Sequence, residues 1–194
     1  KILKGGLNNG RWRWFGDFEN QFDNKSDFDE SLLDYLLTCT GNDAIYNLDI
    51  NVRNTPQIVT SLEKISKARV GETEKKGAGP EVRRIDADQL ELLINNDERI
   101  DINQTTILYV NKDDLNNFNY LLKLQKYGCD FAQIDEFKGM ESNYIFILGL
   151  GTVSNVDVFR DLYYKSVSRS RGYCYIIEDE MAKKYYVELL NAKV

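Results

Sequence analysis

The sequence predicts an α/β protein with a mainly parallel sheet, and two observations carry that prediction. Apolar segments of strand type alternate with amphipathic segments of helix type along the chain, the order that lays helices over a parallel sheet. The segment at 143–148, NYIFIL, then runs through five apolar residues without a break, as a strand covered on both faces must.

The elements follow in order. Residues 11–15, RWRWF, read as a strand running into a Gly16-Asp17 turn, with Trp12 and Trp14 as packing residues. Residues 31–37 read as a short helix and 44–48, AIYNL, as a strand. A helix over 55–68 is marked by Thr55 as its N-cap and Pro56 at its first position, with Ile58, Val59, Leu62 and Ile65 on one face. The stretch 71–80, GETEKKGAGP, is polar, Gly-rich and closed by proline, and reads as a linker. A strand at 81–85 leads to a helix at 88–95, capped by Asp86 or Asp88; 95–104 is a second soft region. The apolar strand TTILYV at 105–110 precedes a helix expected over 113–127 and ended by Gly128. Strands at 131–134 and 143–148, a helix at 156–168, a strand at 173–177 and a closing helix at 179–192 complete the pattern. In such sheets ligands sit at the carboxyl ends of the strands, so chemistry is expected in the loops that follow them.

Composition narrows the function. The 194 residues include no histidine, which excludes a Ser-His-Asp triad, a Cys-His dyad, a His-ligated metal and a histidine pH switch. Cys39, Cys129 and Cys174 are far apart and form no CxxC pair, so they read as reduced thiols of a cytoplasmic protein. No apolar run is long enough for a membrane span, and the chain opens on no secretory leader. It opens at Lys1 and is read as a piece cut from a longer polypeptide. The net charge of −6 is uneven: residues 17–49 carry nine acids against one lysine, whereas 160–172 carry four bases against one acid.

Four stretches stand where a loop meets a strand or helix. They are GDFENQ at 16–21, NVRNT at 51–55, FKGMES at 137–142 and SVSRSRG at 166–172. Singly each has a plain reading: a turn, a helix cap, a tight turn, and arginines complementing a helix C-terminus. In this order they resemble the second half of a superfamily 1 helicase motor of the UvrD/Rep type. GDFENQ is similar to motif III (GDxxQ), NVRN to motif IV (NxRN), KGME to motif V (KGLE), and LYYKSVSRSR to motif VI (LYVxxSRAR). The leading GGLNNGRW and the form of motif V are closest to helicase-like ATPases associated with nuclease-related domains.

The resemblance implies a RecA-like fold and a division of the chain. Residues 1–43 would be the tail of a first RecA-like domain carrying motif III, and 44–194 a second RecA-like domain carrying motifs IV, V and VI. It implies roles residue by residue. Arg53 would reach the γ-phosphate of ATP, and Arg169 would be the arginine finger with Arg171 as the second choice. Arginine suits this work because its planar, always-charged fork stabilises charge on a transferring phosphoryl group. Gln21 would sense the γ-phosphate or place the attacking water, and Asp17 would hold the motif III turn. Glu141 would accept a hydrogen bond from the nucleotide sugar, and Lys138 and Gly139 would shape the motif V loop, Gly139 by allowing close backbone approach.

Several positions depart from the family pattern. Motif III is one residue longer than usual, with Asn20 where Gln is expected and Gln21 beside it. Val52 replaces the usual tyrosine of motif IV. Gln133 and Asp135 stand at the motif V positions that usually hold Thr and His, and an Asp there repels nucleic-acid phosphate. No nucleic-acid-binding residue is therefore assigned. No P-loop, GxxxxGK(S/T), is present. Gly149-Leu150-Gly151 follows a strand as a dinucleotide motif would, but Ser154 stands in place of the third glycine. The expected function is the C-terminal half of an ATP-dependent DNA helicase or translocase. ATP and Mg2+ would be bound mainly by a preceding RecA-like domain, and the track would be single-stranded DNA. The alternative is a non-catalytic RecA-like docking or regulatory module of a larger nuclease or defence protein.

Overall fold

The computed structural model describes residues 49–75, 79–98, 100–118 and 120–192, together with Ser31, Asp34, Tyr35 and Thr38. Two compact units make up the chain, Lys1–Leu48 and Asp49–Val194. In the first, the four described residues are helical, where a helix over 31–37 was expected, and the Thr38 hydroxyl donates to the Asp34 carbonyl at 2.8 Å. Motif III, with Asp17 and Gln21, lies outside the described residues, as do Trp12, Trp14 and Cys39.

The second unit is α/β, with a five-stranded parallel sheet flanked by helices, consistent with a RecA-like fold. Its strands are β3 (Val82–Asp86), β4 (Thr105–Tyr109), β5 (Asp130–Gln133), β6 (Ser142–Leu148) and β7 (Ser170–Glu178). They lie in the order β3-β7-β6-β4-β5, and every neighbouring pair is parallel. A separate two-stranded parallel ribbon joins β1 (Ile50–Asn51) to β2 (Glu72–Thr73). The stretch expected as a linker at 71–80 therefore contributes a strand.

Alternation along the strands builds two cores. On β6, Ile145 and Ile147 face one side and Phe146 and Leu148 the other, and all four are fully buried. The first side meets α1 (Pro56–Ser66), which brings Ile58, Leu62 and Ile65. It also meets the helix Val156–Val167, with Phe159 and Tyr163, and the helix Glu180–Asn191, with Ala182 and Leu189. The second side meets α2 (Ala87–Asn96) through Leu90 and Ile94, and is closed by Leu121. Phe146 and Tyr175 stack there at 4.9 Å between ring centroids.

Caps fix the helix entries. The Thr55 hydroxyl accepts from Ile58 N at 3.3 Å with Pro56 next in line, as the sequence predicts. Gln89 Oε1 accepts from the Asp86 backbone at 3.1 Å, the return half of a capping box. Asp179 accepts from Ala182 N at 2.7 Å. Each such cap is worth about 1 kcal/mol.

The helix expected over 113–127 is broken. A 3-10 segment, Lys112–Phe118, gives way to the single α turn α3 (Leu121–Leu124) and another 3-10 turn, Gln125–Tyr127. Short polar side chains compete here for nearby donors. The Asp114 carboxylate accepts from Asn111 N at 2.7 Å, and Asn116 donates to Asp113 at 3.2 Å. Among the described residues of this stretch, Leu121 alone is anchored in full burial. The two remaining helices are numbered α4 (Val156–Val167) and α5 (Glu180–Asn191).

Among the described residues no helix is long and apolar enough to cross a membrane. Cys129 and Cys174 are free and buried, and burial pushes the Cys129 thiol up to about 12 and Cys174 higher still. Both behave as small core residues rather than reactive thiols.

Candidate functional site

The stretches that resemble motifs IV, V and VI meet at the amino-terminal edge of β6 and β7. Arg53 sits just before α1, Glu141 just before β6, and Arg169 and Arg171 where α4 turns into β7. Arg53 Nε is 2.8 Å from Glu141 Oε2, and an Arg171 guanidinium nitrogen is 3.1 Å from Glu141 Oε1. One carboxylate thus bridges two arginines from segments far apart in sequence. The pairs are half exposed, so each contributes about 0.2–1 kcal/mol. Their consequence is geometric: they fix the relative position of three loops.

The Arg53 loop is folded by its own asparagines. Asn51 Oδ1 accepts from Arg53 N at 3.0 Å and Asn54 N at 2.9 Å, a side chain standing in for a backbone turn. The ribbon then braces it. Thr73 donates to the Asn54 carbonyl at 2.9 Å, and Lys75 Nζ donates both to the Arg53 carbonyl and, at 3.0 Å, to the Arg171 carbonyl.

Arg171 is aimed by an irregularity. Ser142 pairs with Ser170 and Tyr144 with Tyr173, so two residues of β7, Arg171 and Gly172, oppose Asn143 alone. Such a bulge turns a strand end locally and re-aims its side chains.

Arg169 differs from its neighbours. It is half-buried, and among the described residues it has no carboxylate partner. Burial first, and then the positive charge of Arg53, lower its pKa from the ordinary arginine value. The guanidinium is held where its charge is disfavoured, and an anion placed there would relieve that cost. With Arg53, Arg171 and Lys75 it makes a group of four cations, and Glu141 is the only carboxylate that any of them contacts among the described residues. In a chain of net charge −6 this is a local reversal of sign, suited to a polyanion.

Lys138 and Gly139 lie in the exposed turn before Glu141. Gly139 has φ +85°, with no heavy atom within 4 Å of where a Cβ would stand. The glycine answers a backbone requirement of the turn, and no close approach within the chain calls for it. The two departures in motif V are both engaged. Gln133 donates to the Val110 carbonyl at 2.9 Å, and Asp135 pairs with Lys165 at 2.9 Å, which offsets its negative charge. Among the described residues no cluster of Cys, Asp or Glu is placed to hold a metal ion.

The loops at the carboxyl ends of the strands, where chemistry was expected, are occupied differently. A Cβ on Gly149 would lie 2.0 Å from an Asp114 carboxylate oxygen, and one on Gly151 would lie 1.8 Å from Asp179. Carboxylates pack where a dinucleotide motif would need room for pyrophosphate. The cationic group sits at the opposite edge of the sheet.

No family model matches the chain, and no curated protein matches it. Among solved structures, the C-terminal domain of a possible DNA helicase from a Lactobacillus matches 72% of this chain and 96% of its own length, at 17% identity and a TM-score of 0.48. A likeness at that identity and score leaves the site to be argued from its own geometry.

Sequence reading placed Asn54 in NVRN without giving it a role at the site, and missed Lys75. Asn54 is 2% exposed and donates from one amide to two carbonyls, Ser168 at 3.2 Å and Ser170 at 2.6 Å. A signal for it was present: Thr55 and Pro56 already satisfy the helix start, so an Asn one place earlier is free for other work. Lys75 carried no such signal.

The bridging role of Glu141 gives a direct expectation. Glu141→Gln removes the one negative charge from the group and is expected to raise affinity for inorganic tripolyphosphate about fivefold to tenfold at low salt, an effect of roughly 1 kcal/mol. The gain should shrink as ionic strength rises. Titration calorimetry of the chain and the variant checks this, and unchanged or weaker binding would mean that the cations do not converge on an anion.

Proposed function

We propose that this chain is the C-terminal half of an ATP-dependent superfamily 1 DNA helicase or translocase, and that Arg169 and Arg53 serve the phosphates of ATP held against a preceding RecA-like domain. The observation that carries this reading is the half-buried Arg169 guanidinium, set beside Arg53 without a carboxylate of its own among the described residues. Desolvated, preorganised arginine is what phosphoryl transfer requires, since the reaction is catalysed mostly by positioning and by compensating charge on the transferring group. Arg53 and Arg171 flank it, and Glu141 lies within reach of both and could pass from an arginine to a sugar hydroxyl when nucleotide enters. Mg2+ would have to be held by the preceding domain. Arginines lent across a cleft need not stand at the carboxyl ends of their own strands, which fits their place at the amino-terminal edge.

One observation favours the runner-up, a docking or regulatory module on the same fold. Gln133 and Asp135 are tied to Val110 and Lys165, so the motif V loop offers neither of the family's usual contacts to a nucleic-acid backbone. Two measurements on the 194-residue chain decide between the readings. It is expected to bind a single-stranded DNA oligonucleotide weakly, with affinity falling steeply as salt rises, and to hydrolyse no ATP alone. Absence of any salt-dependent strand binding would favour the docking module, and steady ATP turnover by the chain alone would overturn the division of labour proposed here.

A further inference from the structure

We infer that Asn54 is the positioning residue for Arg169: its buried amide sets the direction of the arginine by holding the peptide groups on both sides of it. The inference rests on the reading of the arginine group as an anion site. Asn54 Nδ2 donates to the carbonyls of Ser168 and Ser170, which flank Arg169 in the chain. The Arg169 N–H donates to the Ser166 carbonyl at 3.2 Å, and the Arg169 carbonyl accepts from Ser142 N at 3.1 Å. Residue 169 is therefore held at its own N–H and carbonyl, and its two neighbours are held at theirs by Asn54.

The asparagine is itself fixed. Asn51 Nδ2 donates to Asn54 Oδ1 at 3.0 Å, and its carbonyl takes the Thr73 hydroxyl. At 2% exposure an unsatisfied amide would be costly, and this one has both its donor and its acceptor sides engaged. The Arg169 side chain, by contrast, has no ion pair to aim it among the described residues. Its direction therefore depends on where its backbone is held and on the packing around it, and a shift of about 1 Å at a charge-stabilising group is enough to cost on the order of 100-fold in a reaction. The same contact joins the loop before α1 to the start of β7, beside a bond of 3.4 Å from the Arg53 guanidinium to the same Ser168 carbonyl, so a movement of Arg53 reaches the backbone that carries Arg169.

The test is a double-mutant cycle on the whole 194-residue chain, read by calorimetric titration with inorganic tripolyphosphate. Arg169→Ala is expected to weaken binding about tenfold, as the loss of one charge-assisted contact of roughly 1.4 kcal/mol does. Asn54→Ala should weaken it to a similar degree, and the double variant should be no weaker than Arg169→Ala. Hydrogen exchange at the Ser142 amide, which reports the Arg169 carbonyl, should quicken in Asn54→Ala. If Asn54→Ala does not fold, Asn54→Ser, which keeps one donor, takes its place. Losses that multiply in the double variant, or an Asn54 variant that binds as tightly as the parent, overturn the positioning role while leaving the anion site standing. An Arg169→Ala variant that binds undiminished overturns the anion site, and this role with it.

Discussion

If the proposed function holds, Arg169→Ala, made in a protein that joins this chain to the preceding RecA-like domain proposed above, is expected to lower the rate of ATP hydrolysis by about 10³ or more, the range in which an arginine finger acts. The same substitution should leave the thermal midpoint unchanged or raise it. That pairing of effects is the informative part. A half-buried guanidinium beside Arg53, with no carboxylate of its own among the described residues, costs the fold free energy. Removing it relieves that cost, so the midpoint should hold or rise rather than fall. A residue kept for packing would show the opposite sign. Arg169→Lys should not restore turnover, because an ammonium lacks the planar fork and is more strongly hydrated. Hydrolysis retained within tenfold, or a midpoint that falls by several degrees, would refute the finger role. Steady-state kinetics and thermal melts of the same preparations give both readings.

The fold was legible wherever one residue type left a single physical option. A short unbroken run of apolar, β-branched and aromatic residues between turns favours a doubly covered strand, and β6 is one. Thr55 followed by Pro56 can only open a helix there, and α1 begins at that point. Over 113–127 the apolar spacing suggested one helix, but Asp113, Asp114 and Asn116 each found a nearer partner, and local polar bonds outweighed a weak apolar face. The ribbon strand β2 was hidden for a different reason. GETEKK has the composition of a linker, and its pairing to β1 depends on where α1 returns the chain, which no local pattern records. At the site, the arginines and Glu141 were legible as motifs, and the structure brings all four into one group. Their company was not: a carboxylate bridging two arginines, a lysine bonding two carbonyls, and a bulge at Arg171–Gly172 are products of tertiary register. The placement of the group also followed no sequence rule, since the rule for ligands at strand carboxyl ends concerns a sheet that holds its own ligand.

Gly149→Ala is expected to destabilise the chain by about 2–3 kcal/mol, and to do so without touching anion binding. Gly149 closes β6 with φ +81°, a conformation that costs an L-residue roughly 1–2 kcal/mol. A methyl group there would also stand 2.0 Å from Asp114 Oδ2, the oxygen that accepts from Asn111 N at 2.7 Å. To make room the carboxylate must swing away, and the turn after β4 loses its internal bond, for about 1 kcal/mol more. At 2–4 °C per kcal/mol for a chain of this size, the midpoint should fall by about 5–10 °C. Tripolyphosphate affinity, measured well below that midpoint, should stay within twofold of the parent, because Arg53, Arg169 and Arg171 lie at the other edge of the sheet. The two readouts separate the two glycine-bearing hypotheses cleanly. If Gly149-Leu150-Gly151 were a phosphate cradle, its alanine variant would lose the anion before it lost the fold. If the turn is a packed joint between β6 and the carboxylates of Asp114 and Asp179, stability falls and the anion stays. A variant that melts like the parent and fails to bind tripolyphosphate would move the site to the carboxyl ends of the strands and dissolve the case for the arginine group.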